Sequence, residues 1–308
     1  YHQSTLDLLQ GLSCSVGLRY DYEHARCDFS KVQQPLNGNG ETKSLEQFNR
    51  SLHFGQFTPR FSMQYLSSHN QLFYASVSKG YKAGGFNVSF LNNDDYLYSP
   101  EYNWNYEIGT KLSFLNNRLS ADLSLFYIDW RNQQITNTIP TVGNVIRNAG
   151  RSRNKGIEAS FQARPTKSWM MYMNYGYTDA RFVHYQKEER GILKDYEGNY
   201  LPMVPRHTFS LTTGYSFYDI CSWIDRLTLN AGVSVTGPIY WYEDNQAKQS
   251  PYALVNLRIS INKGCFTWEA WSKNLTNTDY LSYYFVTSKA YAQKGKPITL
   301  GTSVSISL

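Results

Sequence analysis

No run of eighteen apolar residues occurs anywhere in this chain. Without one, no α-helix crosses the roughly 30 Å hydrocarbon core of a bilayer. That excludes a helical inner-membrane protein and nothing more, because the strands of a membrane β-barrel alternate and average out as polar; the mean hydropathy of −0.50 is compatible with either solvent. Convincing helical periodicity is also lacking. Cysteine is scarce: Cys14, Cys27, Cys221 and Cys265 form no CxxC pair and no zinc spacing. The net charge is +6, but there is no basic block of the kind that tracks phosphates, so nucleic acid is not an expected partner. The chain opens at Tyr1 with neither Met nor a charged-then-apolar leader, which points to a removed signal peptide or to sequence upstream.

What the chain has in quantity is aromatic side chains, with 26 Tyr, 16 Phe and 7 Trp. Such a composition suits β-structure and wet interfaces. Period-2 alternation runs the whole length. In 226–237 Leu227, Leu229, Ala231, Val233 and Val235 share one parity, and Thr228, Asn230, Gly232, Ser234 and Thr236 the other. Counting such runs predicts twelve strands, near 11–23, 56–67, 71–82, 102–115, 118–134, 152–163, 169–183, 205–217, 226–241, 251–262, 265–277 and 296–308.

The connections alternate in length. Short ones fall at 67–70, 116–117, 165–168, 217–225 and 262–264, and long ones at 24–55, 83–101, 135–151, 184–204, 242–250 and 278–295. Short turns at one end and long loops at the other are the pattern of an outer-membrane barrel, with its periplasmic turns and extracellular loops. Rings gather at strand ends, as at Tyr20, Tyr22, Tyr98, Tyr102, Trp130, Tyr240, Trp241, Tyr283 and Tyr284, where a membrane places its aromatic girdle. The fold expected is all-β: an antiparallel, up-and-down transmembrane barrel.

In lipid, the apolar parity must face outward and every backbone group must pair. Cys14 then reads as a small lipid-facing residue, and Leu308 closes the outward row of the last strand. Cys221 and Cys265 fall in periplasmic turns, where a disulfide between them is conceivable. The polar parity faces a lumen and carries Arg19, Arg60, Glu107, Lys111, Asp122, Glu158, Arg258, Glu269 and Lys273. Mixed signs suit a lumen filled by protein, where each charge finds a partner; a wide wet lumen with solvated charges is the alternative.

Several segments, in order, resemble the barrel domain of the TonB-dependent outer-membrane receptors. They are VGLRYDYE (16–23), FTPRFSMQY (57–65), LFYASVSKGYKAGGFN (72–87), the stretch from YNWNYEIGTKLSF to NQQI (102–135), NAGRSRNKGIEASFQARPT (148–166), YGYTDARF (175–182), LPMVPRHTFSL (201–211), WSKNLTNTDYL (271–281) and GKPITLGTSVSISL (295–308). The resemblance implies a 22-stranded barrel with a plug domain in its lumen. It implies uptake of a bulky nutrient, most like the iron-chelate branch, powered by the TonB complex acting through an N-terminal box. Residues 1–308 are then the C-terminal portion of such a barrel. The plug, the TonB box and the first strands are not in this sequence, and the final residue is Leu308 rather than an aromatic one. The partners implied are outer-membrane lipid, the plug and remaining strands, the TonB complex and a small-molecule metal chelate; no cofactor is implied.

On this reading the extracellular loops capture the chelate. The candidate contacts are Lys82, Phe86, Tyr96, Tyr98, Arg147, Arg151, Tyr240, Trp241, Tyr283 and Tyr284, cations and rings suited to an anionic, aromatic ferric chelate. No catalytic or metal-ligating cluster is expected, since His2, His24, His53, His69, His184 and His207 are widely spaced. Two self-contained alternatives use twelve strands: a passive channel or translocator, and an outer-membrane enzyme. The enzyme is disfavoured because His207 and the nearby Ser210 stand on opposite parities and would point apart.

Overall fold

The computed structural model describes residues 1–34, 41–139, 142–148, 150–189, 192–286 and 289–307. Thirteen strands form one antiparallel sheet in strictly sequential order. They are β1 (His2–Leu9), β2 (Leu12–Gln33), β3 (Lys43–Leu66), β4 (Leu72–Lys82), β5 (Glu101–Phe114), β6 (Leu119–Arg131), β7 (Arg151–Ala163), β8 (Trp169–His184), β9 (His207–Cys221), β10 (Ile224–Thr236), β11 (Tyr252–Lys263), β12 (Phe266–Lys273) and β13 (Thr299–Ile306). This is the up-and-down wall that the alternation predicts.

Register fixes the two faces. Leu112, Ala121, Phe161, Met173, Leu211, Val233 and Val255 lie side by side across seven strands, all apolar. One residue along, Lys111, Asp122, Ser160, Asn174, Ser210 and Ser234 form an adjoining polar row. A sheet apolar on one face and polar on the other across these strands has lipid on the first and a lumen on the second. The buried cluster of Ala180, Phe182, Tyr185, Tyr196 and Leu201 lies at the outer end of β8 and in the loop after it. Across the strands, the bilayer takes the place of a protein core.

Three details differ from the sequence reading. There are thirteen strands, not twelve: β1 pairs with β2 across a turn at Gly11, whose φ is +78°. Of its residues opposite the outward row of β2, His2, Ser4, Leu6 and Leu9, only two are apolar, and a register irregularity falls between Asp7 and Leu9, so its alternation is too weak to count. The segment 24–55 is no loop. β2 and β3 run on for 22 and 24 residues and pair from Leu12–Tyr65 up to Gln33–Lys43, a tall hairpin. Above the bilayer both faces meet water, so nothing there demands alternation. The turn at 217–225 shrinks to residues 222–223, because β9 and β10 stay paired from Tyr218–Arg226, through an irregularity, to Cys221–Ile224. All four cysteines, Cys221 and Cys265 included, are free thiols. Leu308 lies outside the described residues.

The long loops carry structure of their own. Hairpins form at Gln134–Ile139 with Gly143–Asn148, at Gln186–Glu189 with Ile192–Asp195, and at Leu281–Val286 with Ala290–Lys294. Two-residue ladders join Gly85–Phe86 to Leu97–Tyr98 and Ile239–Tyr240 to Lys248–Gln249. A 3₁₀ turn, Asn93–Tyr96, is capped by the Asn92 side chain accepting from the amides of Asp94 and Asp95.

Candidate ligand site

Four of these loops meet around a cavity of about 580 Å³ at the loop end of the sheet. Ile135 and Asn137 come from the loop between β6 and β7, and Met203 from the loop between β8 and β9. Trp241 and Tyr242 follow β10, and Tyr283, Tyr284 and Phe285 precede β13. The rings interlock: Trp241 lies 6.4 Å from Tyr283 and 6.5 Å from Tyr284, and Tyr242 packs edge-on to Tyr284 at 6.2 Å.

Hydrogen bonds hold the loops in register. The Val286 amide donates to the Tyr242 hydroxyl at 2.6 Å, and the Leu281 amide to Gln249 Oε1 at 2.8 Å. The Met203 amide donates to the Tyr240 carbonyl at 2.7 Å. Asn245, in the left-handed region at φ +55°, accepts from the Tyr200 amide and donates to its carbonyl. Burial pushes the Tyr242 hydroxyl up from the ordinary phenol range, so it stays a neutral phenol.

Five aromatic rings, Trp241, Tyr242, Tyr283, Tyr284 and Phe285, line the cavity, which also holds the Lys187–Glu243 ion pair (3.9 Å). Two buried polar atoms at this site, the Trp241 indole Nε1 and Asn137 Oδ1, have no hydrogen-bond partner among the described residues. Buried polar atoms of that kind are normally satisfied. One donor and one acceptor among aromatic faces suit a planar, polar-rimmed ligand of small-molecule size.

The ten candidate contacts do not converge. Trp241, Tyr283 and Tyr284 line the cavity. Tyr240 is next door but stacks on Tyr200 at 5.4 Å. Lys82 pairs with Glu101 (3.8 Å). Phe86 and Tyr98 belong to the two-residue ladder after β4, and Tyr96 is buried between Phe48 and Phe90. Arg147 is engaged with Asp95. Arg151 donates to Asp129 (2.5 Å) on the outward parity of β7. Tyr242, Phe285 and Asn137 were missed. Tyr242 and Phe285 sit beside Trp241 and Tyr284 and read in sequence as more girdle, while Asn137 is one polar loop residue among many.

The nine lumen charges all fall on the polar parity of their strands. Several are paired, Lys111 with Asp122 at 3.6 Å and Arg258 with Glu269 at 3.8 Å. The Tyr74 hydroxyl donates to Glu107 at 2.6 Å. His207 bonds the Tyr175 hydroxyl on the outward face while Ser210 accepts from Asn174 on the lumen face, so the two point apart as expected. Among the described residues no group of three or more His, Cys, Asp or Glu is placed to hold a metal.

The family model described as TonB dependent receptor-like, beta-barrel matches residues 1–277. The pesticin receptor of Yersinia pestis is 24% identical over 319 residues, covering 99% of this chain and 43% of that protein. The probable TonB-dependent siderophore receptor PiuA of Acinetobacter baumannii is 26% identical over 241 residues, 73% of this chain and 30% of that one. Among solved structures, the ferric yersiniabactin uptake receptor FyuA from Yersinia pestis superposes with a TM-score of 0.82 at 21% identity, covering 99% of this chain and 44% of that one. The chain spans less than half the length of these relatives, and the structural likeness speaks for the fold.

Proposed function

Because the chain belongs to the TonB-dependent receptor β-barrel family, we propose that it is the outer-membrane wall of a receptor that takes up a ferric siderophore in a TonB-dependent manner. The observation that carries this reading is the aromatic cavity among the four loops, with its unpartnered Trp241 Nε1 and Asn137 Oδ1. Rings and hydrogen-bonding groups at the end of a barrel are what catching a bulky chelate from dilute solution requires. The relatives matched are named as receptors and transporters, siderophore receptors among them, and the reading involves no chemistry on the cargo. The lumen charges Arg19, Arg60, Glu107, Lys111, Asp122, Glu158, Arg258, Glu269 and Lys273 serve to hold a plug: a wall with both signs interspersed gives a filling domain partners at every level.

The test is growth under iron limitation on a panel of defined ferric chelates, with and without the gene, together with its expression at high and low iron. Rescue by at least one chelate and induction at low iron are expected. Expression indifferent to iron, with no chelate rescued, removes the iron assignment.

A further inference from the structure

The register of the tall hairpin sets His24 on β2 directly opposite His53 on β3. Their imidazoles stack with centroids 4.4 Å apart and planes 3° from parallel. Both are exposed, on the outward parity that carries Val16, Leu18 and Tyr20 lower down. Tyr20 packs on Phe57 at 4.7 Å, and the pair stands two positions beyond it, above the bilayer and open to the medium. The Tyr22 hydroxyl lies 2.9 Å from His53 Nδ1. Arg26, the next outward residue, is paired with Asp28 at 3.4 Å, so its charge is largely offset.

Directly opposed residues of antiparallel strands hold their Cβ atoms about 5 Å apart. Two imidazole nitrogens on one metal ion, each bonded at about 2.0–2.1 Å, sit roughly 3 Å from each other. The stacked ring centroids stand 4.4 Å apart, so the two nitrogens meet one ion only after each ring tilts toward the other. The soft terminal torsion of histidine lets each ring turn its Nε2 edge toward a common point. The hydroxyl of Tyr22 occupies the Nδ1 side of His53, which leaves Nε2 as the open edge. A hydrogen-bonding partner on the second nitrogen is also the outer support that a metal-bound histidine ordinarily has.

We propose that His24 and His53 form an exposed two-imidazole site for a divalent late first-row transition-metal ion, with water completing the coordination. Imidazole ligands favour Cu²⁺ over Ni²⁺ and Zn²⁺. The site lies on the outside of the hairpin, remote from the aromatic cavity in sequence and on the opposite side from the lumen, so it does not depend on the chelate reading. A protonated imidazole has no lone pair to give, so acid releases the ion.

The experiment titrates the whole protein, in detergent micelles, with CuSO₄, following binding by electron paramagnetic resonance, with NiCl₂ and ZnCl₂ as competitors. One equivalent of Cu²⁺ with two nitrogen ligands is expected. His24→Gln and His53→Gln each weaken binding at least about tenfold, Tyr22→Phe weakens it by less, and His69→Gln leaves it unchanged. A first equivalent that binds the double variant as tightly as the parent, or no binding at millimolar Cu²⁺, overturns the proposal. A second measurement needs no variant: Ni²⁺ protects His24 and His53 together from acylation by diethyl pyrocarbonate, read by mass spectrometry. Modification of both at unchanged rate in saturating Ni²⁺ overturns it equally.

Discussion

Arg147 grips Asp95 through two hydrogen bonds, 2.6 Å from Nε and 2.8 Å from a terminal guanidinium nitrogen. The pair ties the loop between β4 and β5 to the hairpin between β6 and β7. Asp95 is almost fully buried, and its carboxylate also accepts from the Leu91 amide. Arg147 holds the carboxyl below the ordinary carboxylate range, against the opposing effect of burial. The folded loop therefore binds that proton more weakly than the unfolded chain does. The contribution is fully present above the unfolded value of 3.8 and is lost as pH falls through the lowered folded value. Pepsin cleavage within 83–100 should rise as pH drops below about 4 in the parent and respond less to pH in Asp95→Asn. Arg147→Ala should open the loop at neutral pH, at a cost of about 1.5–3 kcal/mol, read as protease sensitivity. Equal sensitivity of parent and Arg147→Ala at neutral pH counts against the clamp.

The cavity gives a second prediction. Trp241→Ala and Tyr284→Ala in the whole receptor should each weaken binding of the chelate that supports growth by about tenfold or more, as loss of a central aromatic anchor does. Trp241→Phe, which keeps a ring and loses the indole N–H, should fall between. Fluorescence quenching on chelate binding measures all three, and unchanged affinities would remove this cavity from the pathway.

A third concerns which face meets lipid. Leu125 is outward and its neighbour Ser124 faces the lumen beside Glu158. Leu125→Arg should destabilise the folded barrel by about 2–4 kcal/mol if it lies at mid-membrane depth, while Ser124→Arg should cost little. Urea titration in lipid vesicles compares the two; equal costs would contradict the assignment of the faces.

A fourth rests on Gly109. The Tyr74 ring lies over it, held by the hydroxyl's bond to Glu107, and a Cβ there would press on both that ring and the Leu123 carbonyl. Gly109→Val should therefore lower stability by about 1–3 kcal/mol, seen as an earlier thermal transition. Tyr74→Ala should relieve the ring clash but not the carbonyl clash, so the double variant should recover only in part.

Legibility in the sequence followed the solvent. Where lipid lies on one side and the lumen on the other, as from Ile224 to Thr236 or from Leu119 to Trp130, parity alone gave strand, face and direction. Above the membrane that constraint lapses, so the upper halves of β2 and β3 looked like loop. The cavity shows a different limit. Trp241 and Tyr284 could be chosen by residue type, but their meeting with Asn137 depends on loop-to-loop bonds such as Val286 to Tyr242, which no local pattern encodes. The stacking of His24 on His53 was hidden for the same reason as the hairpin that makes it.

That hairpin also sets who touches the cell first. Strands of 22 and 24 residues, at about 3.4 Å per residue and tilted like other barrel strands, rise on the order of 55–60 Å. The apolar band of an outer membrane is only about 25 Å tall. Roughly half of this ribbon therefore stands in the outside world as a two-stranded mast. An antibody, a bacteriophage or a neighbouring bacterium approaching from that side meets Tyr22, Arg26 and the histidine pair on its outer face before it meets the membrane.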